Sequence, residues 1–155
     1  MDVLFVCLGN ICRSPMAEAI FRHLARSRAD SSTWLIDSAG TGAWHAGNEP
    51  HLSTVSLCLE HGIPIQHHAR QVDKTDFHRF DLILAMDRDN MASLRSMHRR
   101  HGTAIMKLLG SYDPQGVDEV KDPYYSADGV AFRDVYDHVS RCCVALLASI
   151  PEATP

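Results

Sequence analysis

Apolar residues follow two rhythms along this chain: short unbroken runs, and stretches in which they recur every three or four positions. Val3-Leu4-Phe5-Val6 is the first unbroken run, the pattern of a strand covered on both faces of a parallel sheet. A short loop follows, and Ser14-Pro15 then predicts a helix start, since Ser is a favoured N-cap and Pro a favoured first position. Met16, Ala17, Ile20, Leu24 and Ser27 continue it on one face. Trp34 to Ser38 reads as a second strand, running into the turn-rich stretch from Ala39 to Pro50. Leu52, Val55 and Leu59 mark a helix that stops near Gly62 and Pro64.

The alternation continues to the C-terminus. Asp73 to His78 predicts a short helix and Asp81 to Ala85 a third strand. Asp87 or Asp89 caps the next helix, whose apolar positions are Met91, Leu94 and Met97. Ala104 to Leu109 is a fourth strand, and a long loop spans Gly110 to Gly129. In the last helix Phe132, Val135, Tyr136, Val139, Cys142, Cys143, Leu146, Leu147 and Ile150 keep the 3.6-residue period.

Strands alternating with helices predict a three-layer α/β sandwich around a parallel sheet. The right-handed crossover rule limits strand orders without choosing one. Ligands of such sheets bind beyond the carboxyl ends of the strands, where residues 7–14, 38–48 and 86–90 fall. No repeat, linker or low-complexity segment interrupts the chain, so residues 1–155 are expected to form one domain.

Composition narrows the function. The formal net charge of -4 makes nonspecific nucleic-acid binding an unexpected role, so an anionic substrate needs a local positive site. No apolar run reaches the length of a membrane span, and the first residues lack a signal peptide's basic leader and cleavage site. A cytoplasmic protein without membrane insertion is the expectation. Five cysteines at irregular spacing, with no Cys-x-x-Cys pair, fit neither a disulfide framework nor a zinc site. The ten histidines lack organised ligand spacing, so neither metal nor cofactor is expected.

Cys7-Leu8-Gly9-Asn10-Ile11-Cys12-Arg13-Ser14 lies between a buried strand and a helix start, with the spacing Cys-x5-Arg-Ser. A loop curled at a helix N-terminus turns backbone N–H groups inward, and the helix dipole adds positive potential. Residues 8–14 thereby make a cradle for a phosphate dianion. Gly9 and Asn10 are residue types that tolerate left-handed backbone. The Arg13 guanidinium can hold two phosphate oxygens at once. The same field favours a thiolate at Cys7, an in-line nucleophile that would form a phosphocysteine. Ser14 can donate its hydroxyl to that sulfur. A leaving alkoxide or phenolate then needs a proton, and Asp122 in Asp-Pro-Tyr-Tyr125 is the candidate acid, its carboxyl raised in pKa beside a bound phosphate. Tyr124 and Tyr125 can wall a slot for an aromatic ring. Taken alone, Asp122-Pro123 is equally a surface turn; only a phosphate site beside it gives it work.

At these residues the chain resembles the low-molecular-weight protein tyrosine phosphatases. Phe5 to Pro15 is similar to the family's phosphate loop and Asp122 to Tyr125 to its acid loop. Asp37 to Gly40, Ala69 to Gln71, Phe80 to Asp87 and Leu108 to Pro114 resemble further family blocks. The resemblance implies a four-stranded parallel sheet of flavodoxin-like order with helices on both faces, and a tyrosine-phosphorylated protein as substrate. It implies Cys7 as nucleophile, Arg13 as phosphate clamp and Asp122 as general acid. It also implies Asn10 as the holder of the loop through Ser38 and His67, Trp44 at the substrate mouth opposite Tyr124 and Tyr125, and Cys12 as disulfide partner of Cys7. The oligomeric state is left open, with a monomer the simpler expectation.

Two rivals share the loop. An arsenate reductase of the same fold would need relay cysteines after the third strand, and residues 81–101 contain none. A non-catalytic phosphotyrosine-binding module would be expected to lack nucleophile, clamp or acid, and all three residue types are present.

Overall fold

A computed structural model describes residues 1–98, 102–126 and 129–153. Four strands, β1 (Val3–Cys7), β2 (Ile36–Gly40), β3 (Leu82–Ala85) and β4 (Ile105–Leu108), make one parallel sheet in the order β2-β1-β3-β4. The helices are α1 (Arg13–Ala25), α2 (Leu52–Glu60), α3 (Asp76–Arg79), α4 (Arg88–Met97) and α5 (Gly129–Ser149). Among the described residues no helix is long and apolar enough to cross a membrane.

The all-apolar β1 sits at the centre because both faces of the sheet are covered. Val3, Phe5 and Cys7 enter one core with Met16, Ile20 and Phe21 of α1 and Val139, Cys142, Cys143 and Leu146 of α5. Leu4 and Val6 point the other way, into a core with Phe77, Phe80, Met91 and Leu94. This two-residue alternation puts the Cys7 side chain on the α1 side, at the end of the strand where the chain turns.

Several boundaries differ from the pattern-based expectation, each for a local reason. The second strand runs two residues later than predicted, over Ile36–Gly40, and so includes part of the presumed turn region. Trp34 is spent elsewhere: its N–H ends a 3-10 turn over Ala29–Thr33, and its ring stacks on Phe21 beneath the Arg28 guanidinium. Helix α1 starts at Arg13, so Ser14 is not its N-cap; the Ser14 hydroxyl is taken by Cys7 and Asn10. Helix α3 begins at Asp76 rather than Asp73, because the Asp73 carboxylate instead accepts the Thr75 N–H in a turn. Asp87, not Asp89, caps α4, in a reciprocal capping box with Asn90. The predicted long loop opens with a 3-10 turn over Leu109–Tyr112; residues 127 and 128 of that loop lie outside the described residues.

The rest of that loop is pinned by one carboxylate. Asp113 is buried and accepts from Arg141 Nε at 3.1 Å, Arg141 Nη2 at 3.2 Å, Gln115 N at 2.9 Å and Val117 N at 3.3 Å. His138 Nε2 lies 3.1 Å from the same carboxylate and 2.8 Å from the Val117 carbonyl. The Arg141 bonds, then burial working the other way, then the two amides set the balance, and the carboxyl is held down at about 2. A group with a folded pKa below its unfolded value of about 3.9 stabilises the fold above that value and loses its effect as pH falls towards the lower one. We therefore expect Asp113→Asn to lower the melting temperature at neutral pH by several degrees, and to lose less stability than wild type between about pH 4 and about pH 2. Parallel acid limbs for the two proteins in denaturant melts would refute the assignment.

Candidate active site

Where β1 ends, residues 8–12 turn back into α1, and the turn is held by a single buried amide. Asn10 has φ +57, the only left-handed non-glycine among the described residues. A short polar side chain that bonds locally makes that conformation tolerable. Its Nδ2 donates to Ser14 Oγ at 2.8 Å and Ser38 Oγ at 3.0 Å. Its Oδ1 accepts from His67 Nε2 at 2.8 Å and the Arg70 N–H at 2.9 Å. Ser38 Oγ donates to Glu18 Oε2 at 2.7 Å, and His67 Nδ1 lies 3.1 Å from the same oxygen.

Gly9 does not adopt left-handed backbone, which departs from the expectation; a Cβ there would stand 2.9 Å from the His45 ring. Gly40 has no room for a side chain: a Cβ would come 2.7 Å from the Leu8 carbonyl. Close approach lets the end of β2 clasp the loop, with Thr41 N donating to the Cys7 carbonyl and Gly42 N to the Leu8 carbonyl, both at 2.9 Å.

The Cys7 sulfur is the focus of the loop. Asn10 N–H reaches Sγ at 3.3 Å and Ser14 Oγ lies 3.0 Å from it. Because Ser14 Oγ already accepts from Asn10, its own proton is available for the sulfur. Cys12 differs: burial first, then the charges of Cys7 and Asp122, push its thiol up to about 12, against the pull of Arg13. It is a protonated thiol beside Cys7.

Arg13 is buried, with 2% of its side chain exposed. Nη1 donates to Asp87 Oδ2 at 2.7 Å and to the Val120 carbonyl at 2.9 Å, while Nη2 lies 3.5 Å from Asp122 Oδ2. Burial opposes its charge, but Cys7, Asp87 and Asp122 outweigh that and hold the guanidinium above its ordinary pKa. Asp87 does two jobs at the end of β3, since its other oxygen caps α4 through Asn90 N at 2.8 Å.

These groups open into a cavity of about 280 Å³ lined by Cys7, Leu8, Gly9, Ile11, Cys12, Arg13, Trp44, His45, Asp122, Tyr124 and Tyr125. The Asp122 side chain is about one-third exposed, at 34%, and Oδ1 accepts the Tyr124 N–H at 3.0 Å. Tyr124 and Tyr125 meet edge to face at 4.9 Å, and Trp44 is largely exposed. The chain thus brings its proposed nucleophile, clamp, acid and aromatic residues to one opening, while Asn10, Ser14, Ser38 and His67 lie behind the loop.

Sequence reasoning gave no role to Glu18, Arg70, His45 or the Val120 carbonyl, and it placed Asp87 at the carboxyl edge of the sheet and at a helix cap without foreseeing its pairing with Arg13. Glu18 carried one usable signal: it lies four residues after Ser14, on the same helical face. Glu18, Asp37 and His67 offer metal-ligand atoms within 4.8 Å of one another. Arg22 already pairs with Glu18 at 2.6 Å and Arg70 with Asp37 at 3.0 Å, so the group is an ion-pair network.

Comparison with known proteins agrees along the whole chain. Residues 2–154 match the family described as low molecular weight phosphotyrosine protein phosphatase. A human protein of that name is 48% identical over 148 residues, covering 94% of this chain and 93% of its own. The Bacillus subtilis low molecular weight protein-tyrosine-phosphatase YfkJ is 46% identical over 152 residues, covering 97% and 96%. Its crystal structure superposes with a TM-score of 0.89 over 97% of this chain and 94% of the other. The crystal structure of DARP, a drosophila arginine phosphatase, gives 0.89 at 38% identity, covering 96% of each chain.

Proposed function

The chain belongs to the low molecular weight phosphotyrosine protein phosphatase family, and from that premise we propose that it hydrolyses phosphotyrosine in proteins through a covalent intermediate on Cys7. It is a phosphatase by family. The observation that carries the finer reading is the meeting of Cys7, Arg13 and Asp122 at one aromatic-lined cavity. Asp87 and Val120 fix one end of the guanidinium, which leaves Nη2, on the Asp122 side, for phosphate oxygens. The Cys7 thiolate attacks phosphorus in line, the bond to the tyrosyl oxygen breaks, and Asp122 gives that oxygen its proton. The Asp122 carboxylate then takes a proton from water as that water attacks the phosphocysteine, releasing phosphate and the thiolate. The Ser14 hydroxyl at 3.0 Å steadies the sulfur as it leaves.

The arsenate reductase reading is disfavoured. It needs a mobile relay thiol, whereas Cys58, Cys142 and Cys143 are fully buried in the core, and burial raises all three thiols. A non-catalytic binding module has no use for an acid beside the clamp.

Turnover of a phosphotyrosyl peptide, with phosphoarginine as the comparison substrate because one similar structure is an arginine phosphatase, tests the substrate class. Faster release of phosphate from phosphoarginine would overturn it. In the same assay Cys7→Ser should lose all measurable turnover and keep phosphate affinity, since backbone amides and Arg13 hold the anion; residual turnover near wild type would exclude the covalent route.

Asp122→Asn separates acid catalysis from binding. Aryl phosphates with poor leaving groups should slow by about 10²-fold or more, and those with good leaving groups far less. Uniform slowing would move the acid role to another residue.

Cys12 gives a redox expectation. Peroxide converts the Cys7 thiolate to a sulfenic acid, and the Cys12 thiol can condense with it, forming a disulfide and releasing water. Wild type should regain activity with a dithiol after peroxide treatment, and Cys12→Ser should regain clearly less. Equal recovery would leave Cys12 with packing alone.

A further inference from the structure

A histidine occupies the N-cap of α2, where short oxygen-bearing side chains are favoured. His51 Nδ1 accepts the Ser53 N–H at 3.1 Å. A ring nitrogen accepts only while it keeps its lone pair, so this bond requires a neutral imidazole with its hydrogen on Nε2. The rest of the residue is tied to the active site. Its backbone N–H donates to the Ile11 carbonyl of the phosphate loop at 2.8 Å. Its ring stacks on Phe132 of α5 at 4.8 Å and meets Tyr124 edge-on at 6.1 Å. Tyr124 lines the cavity, and His45 lies 6.0 Å away from its ring.

Protonation changes every part of this arrangement. Nδ1 becomes a donor pointed at another donor, and a positive charge appears at the positive end of the α2 dipole. The ring has to turn from Ser53, and in turning it gives up its seat between Tyr124 and Phe132.

We propose that His51 is a positioning residue that keeps the Tyr124 wall of the substrate mouth in place only while its ring is neutral, so that acidification weakens binding of an aryl phosphate without altering the groups that carry out the chemistry. This rests on reading the cavity as the phosphotyrosine site. Ionisable groups on the elements around the ring include His45 and Glu49 before it, Cys7, Cys12 and Arg13 on the loop it is bonded to, Cys58 and Glu60 on α2, Lys121, Asp122, Tyr124 and Tyr125 on the acid loop, and Arg133, Asp134, Tyr136 and Asp137 on α5. All of them remain in His51→Asn, which keeps an oxygen acceptor at the cap and removes the titration.

The test is the pH dependence of KM and kcat for an aryl phosphate, wild type against His51→Asn, from about pH 8 to about pH 5. Dividing one protein by the other cancels the titration of the substrate and of the shared catalytic groups. The ratio of wild-type to variant KM should rise about fivefold across that interval, the equilibrium factor of a typical N-cap, while the kcat ratio stays level. The wild-type melting temperature should fall by about 3 °C relative to the variant over the same interval. A melting shift with a flat KM ratio would make His51 a helix cap only and overturn the proposal, as would flat ratios throughout. Absence of aryl phosphate turnover in wild type at neutral pH would instead overturn the reading of the cavity, and this inference with it.

Discussion

The chemistry of this protein depends on a left-handed backbone at Asn10 that its own side chain stabilises. The conformation costs about 1–2 kcal/mol for a residue bearing a Cβ. Four hydrogen bonds from one buried amide offset it, and they reach three parts of the fold: α1 through Ser14, β2 through Ser38, and the 67–70 segment through His67 and Arg70. Because every donor and acceptor of the amide is used, the loop cannot shift without stranding a buried polar group, at about 1–3 kcal/mol each. That stiffness is what a phosphate cradle requires, since its amides must already point at the anion before it arrives.

Arg13 extends the same logic to the other half of the molecule. A buried guanidinium left unpaired would be costly, so its ties to Asp87 and the Val120 carbonyl are structural needs as well as an aiming device. Through Asp87 the clamp is joined to the N-terminus of α4, and through Val120 to the loop that Asp113 pins against α5. The acid at Asp122 stands two residues beyond that carbonyl. Cys7 and Arg13 are thus placed by a set of buried polar contacts, with Asp122 at its partly exposed edge and the sheet as the support beneath them.

Much of this was legible in the residues themselves. Alternation of apolar runs with 3.6-residue periods gave the layers, and Cys7 to Ser14 at a strand-to-helix turn gave the cradle, because both signals are local. What stayed hidden was set by partners distant in sequence. Ser14 has the composition of an N-cap, but a sulfur seven residues earlier and an amide four residues earlier claim its hydroxyl. Trp34 has strand propensity, but Phe21 and Arg28 offer it a better seat. Gly9 has the backbone freedom of a turn residue, yet its selection is by the nearby His45 ring. The Val120 carbonyl leaves no trace in sequence at all, since any residue supplies one.

The span of the Arg13 contacts along the chain also bears on when a reactive thiol first exists. The Val120 carbonyl that holds Arg13 lies 107 residues after it, and α5, which packs on α1, follows later still. Contacts of such long sequence separation form late in folding. A chain without the segment that carries Val120 has no carbonyl there to orient the Arg13 guanidinium beside Cys7.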